Sequence, residues 1–195
     1  QEDNALRSKN IYPTFFMPVR LLERDKGILN FFKSIGFENI RTCKFLIAGD
    51  GPDRHKINSY IIKHDLQKHI ILLGYCNTER IITLYRQCNV FLLPSFSDPC
   101  PLSLIEALRM NLPVLVSERC GNHYEAVEIG ENGYIFNPFD SKSVIVAFKK
   151  ILEANNDWEV MGNKSGVLYN QNFNKAFVIS RFLDQLMSLS QRLQK

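Results

Sequence analysis

The chain has 195 residues, of which 45% are hydrophobic and 23% charged, a composition typical of one globular domain with a sizeable core rather than of a disordered segment. The formal net charge of +4 is spread along the chain, so we expect no nucleic-acid partner. No run approaches the roughly 18 to 20 apolar residues of a membrane span, and the first residues lack the basic and apolar parts of a signal peptide.

The first half of the chain alternates short apolar runs with helical patterns. Residues 11–19 are predicted as a strand, and apolar residues at helical spacing follow over residues 27–35. A second apolar run, residues 43–48, ends in a glycine-rich turn, after which a helix is predicted over residues 53–66. The alternation continues with a strand at 70–73, a helix at 77–87 and a strand at 90–93.

The second half repeats this alternation. The pattern predicts strands at residues 113–116 and 133–136, and it predicts helices at 103–110, 122–128, 140–153, from 157 onward and 172–193. These elements predict an α/β fold: a Rossmann-like, doubly wound parallel sheet of about six strands with helices on both faces, a three-layer α/β/α domain over residues 1–195. The closing helix, 172–193, has more apolar residues than one narrow stripe requires, so we expect part of it to pack on another domain.

Two acids, Asp98 and Glu106, lie eight residues apart where a predicted strand leads into a predicted helix. Ligands of open parallel sheets bind at such turns, and the first helical turn offers unpaired N–H groups that favour a phosphate. Carboxylates are repelled by phosphate but accept hydrogen bonds from sugar hydroxyls. A nucleotide-sugar has both kinds of group. The alternative is that these acids are only helix caps or dipole partners.

The five cysteines are an odd number without the paired spacing of a metal site, and we interpret them as free thiols. Cys100 and Cys120 lie near the suspected site. A nucleophilic cysteine would need a general base, and His123 is the only histidine close to them in sequence.

Several segments together carry a resemblance to a known family. Residues 94–108 contain both acids, and they are followed by residues 111–117, by Gly121 and Glu125, and by Gly130 and Gly133. Upstream lie residues 19–21, 26–27, 49–52 and 73–75. In order and spacing these segments resemble the C-terminal, donor-binding domain of glycosyltransferase family 4, over roughly residues 12–153. The resemblance implies a GT-B fold in which this lobe binds a nucleotide-sugar.

The same resemblance implies how a diphosphate would be held. Arg20 and Lys26 would neutralise the charge that grows on the leaving group, as two fixed cations can. Leu102 and Ser103 would donate backbone N–H groups from the start of the helix. For the two cations the alternative is a solvated charged loop.

The remaining site residues are also assigned by resemblance. Glu106 would accept hydrogen bonds from the ribose hydroxyls, and Asp98 would contact the transferred sugar. Tyr75 and Cys76 would lie near the nucleobase, although ordinary packing is an equal alternative for Tyr75. Gly49 would lie at the site, where its simplest role is turn geometry.

The sequence departs from the family pattern at several positions. Asp98 stands where glutamate is usual, which shortens its reach by one methylene. Pro99 and Pro101 replace glycines, and Pro101 has no N–H to donate to a phosphate. Val19 replaces the usual glycine before Arg20. Because Pro101 cannot donate, we expect that phosphate contact to move to Leu102 or Ser103.

By this resemblance the chain is the donor domain of a retaining glycosyltransferase that uses a UDP- or GDP-sugar without a metal. The acceptor would be a polysaccharide such as capsule, or a lipid-linked saccharide, bound by an N-terminal domain that this chain lacks. The isolated domain would be inactive. We expect a cytoplasmic protein, and a peripheral membrane association at the inner face stays open. The alternatives are a GT-B nucleotide-sugar 2-epimerase and a non-catalytic nucleotide-binding module.

Overall fold

The computed structural model describes residue 7 and residues 10–193, with side chains described as far as residue 187. Its centre is a sheet of six parallel strands in the order β3-β2-β1-β4-β5-β6. The strands are β1 (Thr14–Pro18), β2 (Lys44–Ala48), β3 (Ile70–Gly74), β4 (Val90–Leu93), β5 (Val114–Ser117) and β6 (Gly133–Phe136). The chain therefore has the predicted α/β, Rossmann-like fold with six strands.

Helices connect the strands and close the domain. In the described part of the chain they are α1 (Glu23–Lys26), α2 (Ile28–Arg41), α3 (Arg54–Lys63), α4 (Thr78–Gln87), α5 (Leu102–Arg109), α6 (His123–Ala126), α7 (Ser141–Glu153), α8 (Trp158–Asn172) and α9 (Lys175–Leu193). A 3₁₀ turn, Ala154–Asp157, joins α7 to α8. Two predicted helix starts are confirmed, because the Asn77 and Asp140 side chains accept hydrogen bonds from the first turns of α4 and α7.

The two faces of the sheet are packed with different aromatic residues. Phe15 stacks on Phe45 of β2 and on Phe148 of α7, with ring centroids 5.1 and 5.5 Å apart. The next residue, Phe16, points to the opposite face because side chains alternate along a strand. Its ring meets Tyr85 of α4 edge-on at 4.9 Å. Helices thus cover both faces, which gives the predicted three layers.

Several predicted boundaries differ from the structure. The first strand begins at Thr14 rather than residue 11, and Ile11 is 91% exposed, because Pro13 cannot donate to a strand ladder. The predicted closing helix begins at Lys175 rather than 172, because α8 continues to Asn172. The helix predicted over residues 27–35 continues to Arg41 across a kink at Gly36, and shifts of one to three residues occur at other helix ends.

The closing helix α9 leaves many apolar side chains in contact with solvent. Seven of them are between 41% and 59% exposed: Phe177, Val178, Ile179, Phe182, Leu183, Leu186 and Met187. Within the described residues no helix is both long enough and apolar enough to cross a membrane. We refer to these seven residues as the exposed apolar side of α9.

Candidate functional site

The site forms where the loops after the strands meet at the carboxyl edge of the sheet. Strands β1 and β4 are neighbours although many residues separate them in sequence, so the chain reverses its direction of winding between them. A ligand of an open α/β sheet binds in the crevice at this kind of switch point. The predicted site residues all follow β1, β2, β3 or β4 in the chain.

The loops after β1 and β2 are fastened to each other by main-chain contacts. The Leu21 N–H donates to the Asp50 carbonyl at 3.1 Å, and the Asp53 N–H donates to the Leu21 carbonyl at 3.0 Å. Gly49 lies against Val19 and donates its N–H to the Gly74 carbonyl at 2.7 Å. Gly49 therefore holds together the loops after three strands, which is the turn role expected for it.

The loops after β1 and β4 place the predicted Lys26 and Asp98 in direct contact. Lys26 Nζ and Asp98 Oδ2 are 2.5 Å apart, and the two side chains are only 18% and 17% exposed. The Asp25 carbonyl accepts the N–H groups of both Phe96 and Ser97, which fixes one loop on the other. A charge-assisted bond between partly buried groups is stronger than an exposed ion pair.

Asp98 is also tied to the loop after β5. Its N–H donates to the Arg119 carbonyl at 3.2 Å, and its carbonyl accepts the Gly121 N–H at 2.9 Å. The alternative that Asp98 is a helix cap is wrong, because Pro101 occupies the N-cap of α5 and no side chain caps that helix. The structure instead holds the Asp98 carboxylate at the junction of three loops.

Helix α5 presents its first turn and Glu106 at this edge. Leu102 and Ser103 occupy that turn, where no intrahelical carbonyl can accept their N–H groups. Glu106 is exposed on the next turn, and its Oε2 lies 3.0 Å from the Tyr85 hydroxyl. Glu106 and Thr78 line a cleft of about 340 Å³ between α4 and α5. A carboxylate and free amides are thus held on one short helix.

In the described part of the chain, Arg20, Tyr75 and Cys76 make no hydrogen bond or ion pair with these groups. Arg20 is exposed directly after β1, and among the described residues its guanidinium has no hydrogen-bond or ion-pair partner. Tyr75, after β3, is 85% exposed, so the alternative that it is an ordinary packing residue is wrong. Cys76 beside it is half-buried, and its Sγ lies 3.7 Å from the Gly74 carbonyl.

Glu23, which lies between Arg20 and Lys26 in the sequence, was not among the predicted site residues. Its Oε1 accepts the N–H groups of Leu29 and Asn30 at 2.8 and 3.2 Å, so it caps α2. Its own N–H donates to Asp53 Oδ2 at 2.7 Å. Burial raises the pKa of the Glu23 carboxyl, and the two backbone hydrogen bonds oppose that rise. The sequence signal for this capping role is an acidic residue a few positions before a predicted helix.

An aromatic pair beside Asp98 was also missed. Phe96, after β4, stacks on Phe139, after β6, with centroids 5.0 Å apart and planes inclined by 10°. The Arg119 guanidinium lies 5.4 Å from the Phe139 ring centroid. These residues follow three different strands, so only the strand order brings them together.

Arg7 supports α5 from far away in sequence. Its guanidinium donates to the carbonyls of Asn111 and Met110 at 3.0 and 2.8 Å, and to that of Tyr85 at 3.4 Å. The last carbonyls of a helix lack intrahelical partners, and a cation there also complements the helix dipole. Arg7 therefore caps the end of α5 opposite to the first turn.

All five cysteines are free thiols, as predicted. Burial raises the pKa of Cys43 to about 11 and those of Cys88 and Cys120 to about 12. His123 is buried, and its Nδ1 lies 2.6 Å from the Cys120 carbonyl rather than beside the thiol. Cys120 is consequently a neutral, protected thiol and not a nucleophile.

We expect iodoacetamide to alkylate Cys100 at least roughly a hundredfold faster than Cys120, because the thiolate reacts and Cys120 is both buried and protonated. Mass spectrometry of the native protein over time would measure both rates. The same reaction in denaturing urea is the control, since all five thiols should then react alike. Rapid labelling of Cys120 in the native protein would contradict the burial found here.

The comparisons with known proteins agree with this fold. Residues 2–166 match the family model described as glycosyl transferases group 1. The alpha-monoglucosyldiacylglycerol synthase of Acholeplasma laidlawii is 34% identical over 113 residues, which cover 57% of this chain and 27% of that protein. An Escherichia coli UDP-Gal:alpha-D-GlcNAc-diphosphoundecaprenol alpha-1,3-galactosyltransferase is 31% identical over 110 residues, covering 56% of this chain and 28% of that protein.

Solved structures share the fold at low sequence identity. Sucrose-phosphate synthase from Thermosynechococcus elongatus superposes with a TM-score of 0.77 at 22% identity, over 96% of this chain and 49% of that one. Anabaena Alr3699/HepE, solved in complex with UDP-glucose, superposes with a TM-score of 0.76 at 18% identity. The match covers 96% of this chain and 52% of that one. The chain thus spans about half the length of these structures, and its matched part spans less than a third of the two curated relatives. On the family match, which covers most of its residues, the chain belongs to the glycosyl transferases group 1 family.

Proposed function

We propose that this chain is the donor-binding, C-terminal domain of a retaining, family 4-like glycosyltransferase of GT-B fold, and that its ligand is a nucleotide-diphosphate sugar. One observation carries this proposal. The Lys26 and Asp98 side chains meet at the switch point of the sheet, in a loop junction that leads directly into the uncapped first turn of α5. A cation, free amides and a carboxylate in one place suit a diphosphate joined to a sugar.

The diphosphate is assigned to the cationic side of the crevice. Lys26 and Arg20 supply positive charge from the loop after β1, and Leu102 and Ser103 supply N–H groups from α5. Glu23 already caps α2, so the first turn of α5 is the better phosphate site. These fixed groups would stabilise the departing nucleoside diphosphate as the bond to the sugar breaks, without a metal ion.

The carboxylates are assigned to the hydroxyl groups of the donor. Glu106, which lines the cleft between α4 and α5, would accept from the ribose, and exposed Tyr75 and half-buried Cys76 would lie near the nucleobase. Asp98 would accept from the transferred sugar. Because Asp98 contacts Lys26, the sugar hydroxyl and the diphosphate would bind opposite members of one ion pair.

The acceptor is assigned to a domain outside this chain. The exposed apolar side of α9 is suited to pack on such a domain. One relative is named as a synthase of alpha-monoglucosyldiacylglycerol, and another is named for a diphosphoundecaprenol-linked substrate. On this basis we include a lipid-linked saccharide or a polysaccharide as acceptor, with the whole enzyme at the inner face of a membrane. The isolated domain would transfer little, since the closure that excludes water needs both domains.

Isothermal titration of the chain with UDP and with GDP tests this proposal. We expect one of the two nucleotides to bind with millimolar or better affinity. Arg20→Ala should weaken that binding about tenfold, because one hydrogen bond between charged groups would be lost. Arg41→Ala is the matched control, because Arg41 is exposed at the far end of α2. Failure of both nucleotides to bind at millimolar concentration would refute the proposal.

A further inference from the structure

The hydroxyl of Tyr85 is a buried polar group placed against two parts of the candidate site. Its oxygen lies 3.0 Å from Glu106 Oε2 and 3.0 Å from the Ser103 carbonyl, so its single proton is shared between two acceptors on α5. Tyr85 is only 1% exposed, whereas Glu106 is exposed. The hydroxyl therefore reaches the site from the core and is not itself open to a ligand.

The ring that carries this hydroxyl is held rigidly. It packs edge-on against Phe16 of β1 and lies 6.4 Å from the ring of Phe91 on β4, so it is anchored on the two strands that flank the switch point. Arg7 donates to the carbonyl of the same residue. A tyrosine has two side-chain torsions, and close packing of this kind leaves it one position.

The Glu106 side chain has no such packing of its own, because it is exposed on the helix surface. A free glutamate samples several rotamers, and binding must immobilise it at a cost in affinity. Tyr85 removes part of that cost by fixing Oε2. The carboxylate is then held in one orientation on a residue that lines the cleft between α4 and α5.

We propose that Tyr85 is a positioning residue that pre-orients the Glu106 carboxylate, and the first turn of α5, for the ribose of the donor nucleotide. This inference rests on the proposed function, in which Glu106 accepts from the ribose hydroxyls. Burial raises the pKa of the Tyr85 phenol, and the Glu106 charge raises it further, so the phenol stays protonated and can donate throughout the neutral range.

The test compares nucleotides with and without ribose hydroxyls. UDP and 2′,3′-dideoxy-UDP are titrated into the wild type, Tyr85→Phe, Glu106→Ala and Tyr60→Phe, with the GDP pair in parallel. Tyr60 is the matched control, since it is half-buried on α3 and its hydroxyl has no hydrogen bond within the described part of the chain. We expect Tyr85→Phe to lower the preference for the ribose form about threefold to tenfold, the effect of one side chain left unrestrained.

The outcomes separate this inference from the proposed function. Loss of the preference in Glu106→Ala together with its reduction in Tyr85→Phe supports both. Loss in Glu106→Ala with an unchanged preference in Tyr85→Phe overturns the positioning role alone. A preference that survives Glu106→Ala overturns the ribose assignment and the inference with it. An equal weakening of both nucleotides in Tyr85→Phe would show a purely structural role, and it would also overturn the inference.

Discussion

Lys26→Ala is expected to weaken the binding of a nucleoside diphosphate by about 50-fold, the largest effect of any single binding residue here. The lysine would lose a charge-assisted contact to phosphate, worth roughly 2 to 3 kcal/mol. Its removal also leaves the Asp98 carboxylate without the cation 2.5 Å away, so that an uncompensated negative charge would repel the ligand. Titration of the wild type and the variant with the same nucleotide measures the change.

Asp98→Asn tests the other member of the pair. Without the carboxylate charge, Lys26 is free to turn fully to the diphosphate, so a nucleoside diphosphate should bind as well as before or up to about threefold more tightly. The preference for a nucleotide-sugar over the bare nucleotide should fall. Lys33→Ala, at an exposed lysine on α2, is the control. Unchanged affinity in Lys26→Ala would show that the pair takes no part in binding.

Gly49→Ala is expected to lower the free energy of unfolding by about 3 kcal/mol, because two costs add. The first is conformational, since Gly49 has φ +140°, a backbone conformation that residues with a Cβ rarely adopt. The second is steric, since a Cβ there would lie 2.0 Å from the Val19 carbonyl oxygen. The expected consequence is that the loops after β1, β2 and β3 separate. Urea unfolding measures the loss.

Two other glycines separate these costs. Gly130 has φ +86° and no heavy atom within 4 Å of an added Cβ. Gly130→Ala should therefore lower the free energy of unfolding by only about 1 kcal/mol, the cost of the left-handed backbone conformation. Gly121 has a φ outside the left-handed region, but an added Cβ would be 2.1 Å from the Pro99 carbonyl oxygen. Gly121→Ala should therefore lower the free energy of unfolding by about 2 kcal/mol for steric reasons alone. A loss below about 1 kcal/mol in Gly49→Ala would contradict the tight approach of these loops.

Much of the fold could be predicted because the strands are short, apolar and separated by clear turns. The bounds of β4 and β6 agree with the prediction to the residue. The two helices α8 and α9 were predicted as separate, but the start of α9 was placed at residue 172 rather than at Lys175. Neither glycine nor proline marks this boundary, so the sequence does not locate it to the residue.

The candidate site could be predicted as a set of residues but not as an arrangement. Alternating strands and helices place Lys26 and Asp98 after strands, yet their contact depends on β1 and β4 being neighbours. No strand order was predicted, and only the family resemblance grouped these residues in one site. Tyr85 could not be found at all, since a tyrosine in an amphipathic helix is usually an ordinary core residue. Its proposed role is inferred from the position of its hydroxyl in the structure.

The contacts of Arg7 bear on where this domain can be cut for experiments. A shorter fragment that starts just before β1 would keep every strand and every predicted site residue, and by sequence alone it would look complete. It would nevertheless lose the guanidinium that binds the carbonyls of Met110 and Asn111. The helix that carries Glu106 would then fray from its far end, so a trimmed version optimised for crystals should retain Arg7.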